Sequence, residues 1–147
     1  TPASMLEDIY QEIILDHHKH PRCRGALDGP CATHEVYNPL CGDRIVVEVK
    51  GAKGEVHKLA FAGSGCAISQ ASASMLCELC AGKPIAEIRT LENSFRSLIK
   101  GETTAEDCEE LGDATALEGV SKYPNRIKCA LIAWDALNRC LDDIEKE

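Results

Sequence analysis

Aromatic side chains are scarce in this 147-residue chain, where Phe, Trp and Tyr together make up 4% of the residues. Hydrophobic residues nevertheless account for 44%, so the core must be built mainly from aliphatic and small side chains. That apolar content is enough for one domain of this length to bury a core without disulfide cross-links. We therefore expect a single domain over residues 1–147.

Positive charge is also in short supply. The chain has 16 Lys and Arg residues against 24 Asp and Glu residues, which gives a formal net charge of −8. An acidic surface is repelled by phosphate backbones and by anionic lipids. We therefore expect no nucleic-acid partner and no role at a membrane surface.

No segment predicts a membrane span or an export signal. The longest apolar stretch, residues 59–80, is interrupted by Gly63, Gly65 and Glu78, whereas a transmembrane helix needs about 20 consecutive apolar residues. The first residues, 1–12, lack the basic and apolar blocks of a signal peptide. We therefore expect a cytoplasmic protein.

Cysteine, by contrast, is abundant. The chain contains nine cysteines, and this odd number without an export signal favours reduced thiols over a disulfide framework. A cysteine thiolate is both a metal ligand and a nucleophile. We therefore expect some of these thiols to be reactive or bound to metal.

The hydrophobic pattern predicts an α+β fold. Apolar residues at helical spacing and β-branched segments alternate with turn signals along the chain. The predicted helices cover residues 5–18, 67–81, 85–89, 91–100 and 125–144, and the predicted strands cover residues 33–37, 44–50 and 55–61. This order predicts a small three-stranded antiparallel sheet with helices packed on one face. Residues 101–119 are acidic and weakly periodic, which predicts a surface insert with a helical turn.

Three cysteines stand apart from the other six by their surroundings. Cys41 lies in a turn that leads into a strand, Cys66 follows a glycine loop that opens a helix, and Cys129 lies in the early turns of the last helix. Glycine allows the backbone to approach a metal or substrate closely, and a helix N-terminus favours a thiolate. We expect the three thiols to converge at one end of the helical layer, where it meets the sheet edge.

Asp43 follows Cys41 by two residues. At the start of a strand, residues i and i+2 share a face, so a carboxylate oxygen can join the thiolate at a common ion. Three sulfurs and one oxygen make a tetrahedral zinc site. The wide spacing of these residues is not itself a metal motif, so the alternative is a turn aspartate beside inert buried cysteines.

Four segments resemble a known family. Residues 38–43 (NPLCGD), 63–74 (GSGCAISQASAS) and 122–129 (KYPNRIKC) are similar to the three cysteine motifs of the U-type iron–sulfur cluster assembly family. Residues 14–22 (ILDHHKHPR) are similar to the first helix of that family and its exit. The likeness covers nearly the whole chain, with the segments in the same order.

The resemblance implies the α+β fold of that family and one shared metal or cluster site. The residues that it places around this site are Cys41, Asp43, Cys66 and Cys129. Lys128 stands where Isc-type members have a histidine immediately before the third cysteine, and a protonated lysine cannot be a ligand. This lysine and the insert at residues 101–119 resemble the SufU branch of the family.

Resemblance to the SufU branch implies a zinc cofactor and a sulfur-accepting role. It also implies two kinds of partner, a SufS-type cysteine desulfurase that uses pyridoxal phosphate, and downstream cluster-assembly proteins. Cys41 is predicted to be the catalytic acceptor, because its turn is flexible and flanked by Gly42. Its thiolate would attack the terminal sulfur of the desulfurase persulfide, as in thiol–disulfide exchange. At most, the protein is then a zinc-dependent sulfurtransferase.

Three other functions stay open. The main alternative is a scaffold that builds an iron–sulfur cluster on Cys41, Cys66 and Cys129, against which Lys128 argues. A zinc-stabilised interaction module would unfold when zinc is removed and would never carry a persulfide. A cysteine hydrolase needs a histidine oriented against a thiolate, and no motif indicates one.

The remaining cysteines have simpler interpretations. Cys77 and Cys80 form a CxxC pair inside a helical pattern rather than at a helix start, which favours core packing. Cys140 lies on the last helix and is also predicted to pack. The cysteines predicted to be exposed thiols in loops are Cys23, Cys31 and Cys108.

The histidines allow two interpretations, a second metal site and an ordinary structural role. His17, His18 and His20 cluster at the end of the first predicted helix, where a favourable interaction with the helix C-terminus is a simpler explanation than a second metal site. His34 and His57 lie in predicted strands and have no obvious carboxylate partner in the sequence.

Overall fold

The structure is a computed structural model that describes residues 2–146, and the side chains of residues 10–146. Along the chain, the elements are α1 (Pro2–Lys19), β1 (Ala32–Asn38), β2 (Asp43–Ala52), β3 (Glu55–Ser64), α2 (Ala67–Cys80), α3 (Ile85–Ile99), a 3-10 segment (Ala105–Lys122) and α4 (Pro124–Glu145). Among residues 2–146, no helix combines the length and the apolar character needed to cross a bilayer.

The three strands form one antiparallel sheet in the order β1–β2–β3. A tight turn connects β2 to β3, and its residues Lys53 and Gly54 have φ values of 57° and 79°. A two-residue hairpin turn with positive φ at both positions matches the right-handed twist of the strands. Asp43, the first residue of β2, pairs with Asn38 at the end of β1.

The core lies between one face of the sheet and the helices. Ile45, Val47 and Val49 alternate along β2 and are 0% exposed. Helix α4 packs on β1 and β2, and α2 packs on β3 and α4. Trp134 of α4 stacks on Phe95 of α3 with their ring centroids 5.3 Å apart. The predicted α+β fold, with helices on one face of a three-stranded antiparallel sheet, is confirmed.

Helix α3 is continuous, whereas the sequence predicts two shorter helices over residues 85–89 and 91–100. The polar residues near the expected break are accommodated within the helix. Thr90 donates a hydrogen bond from its hydroxyl to the Ala86 carbonyl over 3.2 Å. Glu92 is buried and forms an ion pair with Arg96 over 2.7 Å, one turn along the same helix. The prediction of a break is therefore wrong, because this ion pair allows a carboxylate to occupy the buried face.

The 3-10 segment contains most of residues 101–119, which the sequence predicts as a surface insert with a helical turn. It turns sharply at Gly112, where φ is 56°. Leu111, Leu117 and Val120 are each 5% exposed or less, so the segment contributes to the core as well as to the surface. A 3-10 helix has three residues per turn, so its apolar side chains do not show the α-helical period.

Two histidines contact carboxylates far away in the sequence. His17 is 0% exposed, with Nδ1 lying 2.7 Å from Ser74 Oγ and Nε2 lying 2.8 Å from Asp113 Oδ2. From its place in the last turn of α1, it thus connects α1, α2 and the 3-10 segment. His34 Nε2 lies 2.7 Å from Asp143 Oδ2, so β1 is linked to α4 through a partner that the sequence did not reveal.

Candidate metal centre

Asp43 links the sheet to the start of α2. It is the first residue of β2 and is 0% exposed. Its Oδ1 accepts hydrogen bonds from the Cys66 backbone N–H over 2.8 Å and from the Ser69 hydroxyl over 3.2 Å. The other carboxylate oxygen, Oδ2, lies 3.9 Å from Cys66 Sγ. One oxygen of Asp43 therefore has a structural function, and the other faces sulfur.

Gly65 is required for this link. Its φ of +151° lies in a region that side chains rarely adopt, and a Cβ atom there would overlap Asp43 Oδ1. The same Cβ would also lie 2.8 Å from Ser69 Oγ. The glycine loop before Cys66 thus allows the aspartate and the helix start to approach each other closely.

Cys41 lies in the turn between β1 and β2. The Asn38 carbonyl accepts hydrogen bonds from the backbone N–H groups of Cys41 and Gly42, over 3.3 and 2.8 Å. Gly42 has a φ of 71°, which glycine adopts without strain. The turn directs the half-buried Cys41 side chain towards α4, and its Sγ lies 3.2 Å from Cys129 Sγ.

Cys129 lies near the start of α4, which has Pro124 in its first turn. The Cys129 side chain is buried. Burial raises the pKa of the Cys129 thiol, and the neighbouring Asp43 carboxylate and Cys41 thiol raise it further. In the absence of a cation, Cys129 is therefore protonated at neutral pH.

Cys66 lies immediately before α2. Its side chain is half-buried, and its Sγ lies 3.9 Å from both Asp43 Oδ2 and Ser69 Oγ. Ligand atoms of Cys41, Asp43 and Cys129 all lie within 4.8 Å of one another. The structure thus brings three of the four predicted residues into one group. Cys66 is not part of that group of three and contacts it through Asp43.

Two cationic side chains follow the turn into α4. The exposed Arg126 guanidinium has a raised pKa, chiefly because of a hydrogen bond with Cys129 and then because of the nearby Cys66 thiol. Lys128 is also exposed. Arg126 is thus an exposed basic group beside the thiols of the centre.

The CxxC pair is confirmed as core packing. Cys77 and Cys80 are both 0% exposed within α2, and Cys140 is 0% exposed within α4. Burial raises the pKa of Cys80 and that of Cys140 to about 12. These thiols are therefore neutral and inaccessible.

The three predicted loop thiols differ from one another. Cys23 is exposed and Cys31 is half-buried. Cys108 is only 4% exposed, so its predicted exposure is wrong. It is buried because the 3-10 segment packs against α3 and α2.

The sequence did not single out two residues that shape the centre. Ser69 donates a hydrogen bond to Asp43 from the first turn of α2, and Asn38 accepts the hydrogen bonds that form the Cys41 turn. Ser69 lies in the third position of the helix after the N-cap residue Cys66, and its hydroxyl does not cap the free N–H groups. The local pattern therefore carried no signal for its contact with Asp43.

The fold and the grouped cysteines define a NifU-like N-terminal domain. A family model described as "NifU-like N terminal domain" matches residues 9–130. The chain therefore belongs to this family, and the resemblance to U-type iron–sulfur cluster assembly proteins is confirmed.

The chain is similar to two named relatives and to one solved structure. The chain is 40% identical to "Iron-sulfur cluster assembly scaffold protein IscU" of Streptococcus pyogenes, over 94% of this chain and 86% of that one. It is also 40% identical to "Zinc-dependent sulfurtransferase SufU" of Bacillus subtilis, over 91% of this chain and 90% of that one. The fold is similar to the crystal structure of a nitrogen-fixing NifU-like protein (N-terminal) from Brucella abortus, with a TM-score of 0.86, 29% identity and coverage of 97% and 99%.

Proposed function

We propose that this protein acts in iron–sulfur cluster assembly as a zinc-dependent acceptor of persulfide sulfur. The donor is a SufS-type cysteine desulfurase, and the sulfur passes on to downstream cluster-assembly proteins. The observation that carries the proposal is the approach of Cys41, Asp43 and Cys129 ligand atoms to within 4.8 Å of one another. Cys66 extends this group, since its Sγ lies 3.9 Å from Asp43 Oδ2.

The chemistry of the donor set fits zinc. The residues that would hold it are Cys41, Asp43, Cys66 and Cys129. Three thiolates and one carboxylate supply the four ligands that a tetrahedral zinc site takes. Asp43 is 0% exposed and receives neutral hydrogen bonds at Oδ1, and a buried carboxylate facing thiols is stabilised by a cation. When bound, zinc holds cysteine ligands as thiolates at neutral pH.

Cys41 is the best-placed acceptor among the three thiols. Cys129 is buried, whereas Cys41 is half-buried and lies on a turn next to Gly42. Cys66 is also half-buried, but its backbone N–H is bound to Asp43 and its carbonyl accepts the Gln70 N–H of α2. Movement of Cys66 would therefore disturb a helix, whereas movement of Cys41 would disturb only a turn.

The transfer is a thiol exchange without net oxidation. The Cys41 thiolate attacks the terminal sulfur of the persulfide on the desulfurase cysteine. A new S–S bond forms at Cys41 while the S–S bond on the desulfurase breaks, and the desulfurase cysteine leaves as a thiolate. Cys41 then carries the persulfide to the next protein.

A second candidate function is that of a scaffold for cluster assembly. It is supported by the relative from Streptococcus pyogenes, which is 40% identical to this chain and whose name describes a scaffold. In that case the same cysteines would hold an iron–sulfur cluster during its assembly. Lys128 is exposed and supplies no ligand at the position where Isc-type members have histidine. This favours the zinc-dependent acceptor over the scaffold.

Metal content and sulfur capture together test the proposal. Protein isolated without added metal is expected to contain a single zinc per chain and to acquire a persulfide on Cys41 when mixed with the desulfurase and cysteine. Cys41→Ala should abolish stimulation of the desulfurase. Cys31→Ala is the matched control, because Cys31 is a half-buried thiol outside the centre. Full stimulation by Cys41→Ala would overturn the assignment.

Anaerobic reconstitution separates the two functions. Incubation with ferrous iron and sulfide in competition with zinc is expected to leave zinc in the centre. A stable cluster with equal iron and acid-labile sulfide, formed in preference to zinc, would establish the scaffold instead.

A further inference from the structure

Cys23 is held in an unusual backbone conformation on the loop that leads from α1 to β1. Its φ is 61°, a left-handed value that residues other than glycine rarely adopt. The Cys23 carbonyl accepts a hydrogen bond from the Phe61 backbone N–H over 3.0 Å, and the Phe61 carbonyl accepts one from the Gly25 N–H over 2.9 Å. These two hydrogen bonds to β3 fix the loop on one side, while the Cys23 side chain remains exposed.

Arg22, the residue before Cys23, fixes the loop to α2 on the other side. Its backbone N–H donates a hydrogen bond to Ser74 Oγ over 2.8 Å, and its guanidinium Nε lies 3.2 Å from Glu78 Oε2. Residues three and four positions apart share one face of a helix, so Cys77 lies on the same face of α2 as Ser74 and Glu78. The two contacts of Arg22 therefore place Cys23 beside Cys77.

The side chains of Cys23 and Cys77 are hydrogen-bonded to each other. This hydrogen bond lowers the pKa of the Cys23 thiol to about 7, against the opposing effects of burial and of the Glu78 carboxylate. The same hydrogen bond, together with burial, raises the pKa of the Cys77 thiol well above its ordinary value. Cys77 is therefore the donor, and Cys23 is the sulfur that carries negative charge at neutral pH.

The two thiols differ in their access to solvent. Cys23 is exposed, whereas Cys77 is 0% exposed, so a dissolved oxidant reaches Cys23 and does not reach Cys77. An accessible thiolate next to a second cysteine is typical of redox-sensing sites, because the first sulfur is oxidised and the second then forms a disulfide with it. The pair is separate from the metal centre, since it shares no residue with Cys41, Cys66 or Cys129.

We propose that Cys23 and Cys77 are a redox-active pair, which hydrogen peroxide converts into a reversible disulfide between the loop and α2. The inference goes beyond the proposed function, because it uses no residue of the metal centre and needs no sulfur donor. It assigns chemistry to an exposed loop thiol, and it gives the buried Cys77 a function in addition to core packing.

The reaction takes place in two steps. The Cys23 thiolate attacks one oxygen of hydrogen peroxide, the O–O bond breaks, and hydroxide leaves while the sulfur is oxidised to a sulfenic acid. The Cys77 sulfur then attacks the Cys23 sulfur, so that an S–S bond forms and the S–O bond breaks. The departing oxygen takes the Cys77 proton and leaves as water. The two sulfurs together lose two electrons, and the peroxide gains them.

Peptide mapping of the intact, peroxide-treated chain identifies the bond directly. Cleavage after Met75 and after Glu78 separates Cys77 from Cys66 and Cys80. A stoichiometric amount of hydrogen peroxide is expected to join Cys23 to the fragment that contains Cys77, and dithiothreitol should release it. Oxidation of Cys23 without this cross-link, or a cross-link to another cysteine instead, would overturn the proposal. The cross-link is scored whether or not the protein holds zinc, so failure of the proposed function leaves this test intact.

Matched variants test the role of each sulfur. Cys77→Ala should leave Cys23 as a sulfenic acid that a dimedone probe labels. Cys80→Ala is the control, because Cys80 is equally buried on α2, and it should still form the disulfide. Cys23→Ser changes only an exposed loop residue and should leave Cys77 reduced after peroxide treatment. Oxidation of Cys77 in Cys23→Ser would overturn the proposal.

The pH dependence of alkylation tests the contact between the two thiols. The rate at which iodoacetamide modifies Cys23 should reach half its maximum near pH 7 in the wild type, because the thiolate is the nucleophile. In Cys77→Ala this midpoint should rise to about 8.5, the value of a free cysteine, whereas Cys80→Ala should keep the wild-type midpoint. An unchanged midpoint in Cys77→Ala would overturn the proposal. If Cys77→Ala does not fold, the wild-type peptide map and Cys23→Ser still decide the question.

Discussion

Cys129 and Cys140 lie 11 residues apart on α4, which is three helical turns, so they share one face of the helix. Both are buried, and burial raises the pKa of both thiols. Cys140 donates a hydrogen bond to the Val47 carbonyl in the middle of β2 over 3.3 Å. Cys129 instead lies 3.2 Å from Cys41 Sγ. Burial is common to both, so only the neighbours from other segments distinguish the proposed ligand Cys129 from the packing residue Cys140.

Cys140 and Cys129 have different neighbours because Cys140 contacts the middle of β2, whereas Cys129 contacts the turn before β2. Around Val47, the backbone groups of β2 are engaged with β1 and β3, so Cys140 meets an ordered strand interior. At Asp43, the strand begins and the chain has just turned at Cys41. Reactive side chains can converge there, because turn residues are not committed to a sheet ladder.

The largest expected difference between the two cysteines is in metal affinity. Cys129→Ser should lower zinc affinity by more than about 100-fold, since a ligand is lost from a four-ligand site. The affinity is measured by competition with a chromophoric chelator. Wild-type affinity in Cys129→Ser would show that Cys129 resembles Cys140 after all.

A steric change at the centre should have the next largest effect. Gly65→Ala should displace Asp43, lowering zinc affinity about tenfold and the free energy of unfolding by about 1–3 kcal/mol. Gly25→Ala is the matched control, because Gly25 has a similar φ of +138° and no atom within 4 Å of the added Cβ. Urea unfolding and chelator competition measure both quantities. Equal losses of zinc affinity in the two variants would refute the close approach of Gly65 to Asp43.

The pH dependence of zinc binding is a further test of the difference between Cys129 and Cys140. The raised pKa of Cys129 means that its proton must leave when zinc binds, so affinity should rise with pH, by about tenfold per unit for each proton released. Calorimetry in buffers of different ionisation enthalpy counts those protons. Cys140→Ala should not change that count, whereas Cys129→Ser should lower it.

The smallest expected effect is on stability alone. Cys140→Ala removes a sulfur and its hydrogen bond to Val47, which should lower the free energy of unfolding by about 1 kcal/mol. Zinc affinity should remain that of the wild type. A loss of zinc from Cys140→Ala would mean that the two ends of α4 are coupled.

Most of the fold could be predicted because its periodicities are local. The three strands and helix α2 agree with the sequence pattern to within a few residues. The exceptions have physical reasons. The break predicted in α3 is absent because Glu92 is buried as an ion pair, and the 3-10 segment lacks the α-helical period.

The candidate site could be predicted only in part. The turn at Cys41 and the loop before Cys66 carry local signals, and the resemblance to the family supplied the grouping with Asp43 and Cys129. Contacts between distant positions left no such signal. His17 meets Asp113 across 96 positions, and nothing in either local pattern indicates the other.

The hydrogen bonds of Asp43 to Cys66 and Ser69 consist of protein atoms alone. The end of the sheet and the start of α2 therefore stay joined whether or not an ion is present. Small zinc domains that depend on their metal unfold on chelation. We expect this chain, by contrast, to stay folded when zinc is repeatedly removed and bound again. If the centre holds zinc as proposed, the ion exchanges without unfolding of the domain.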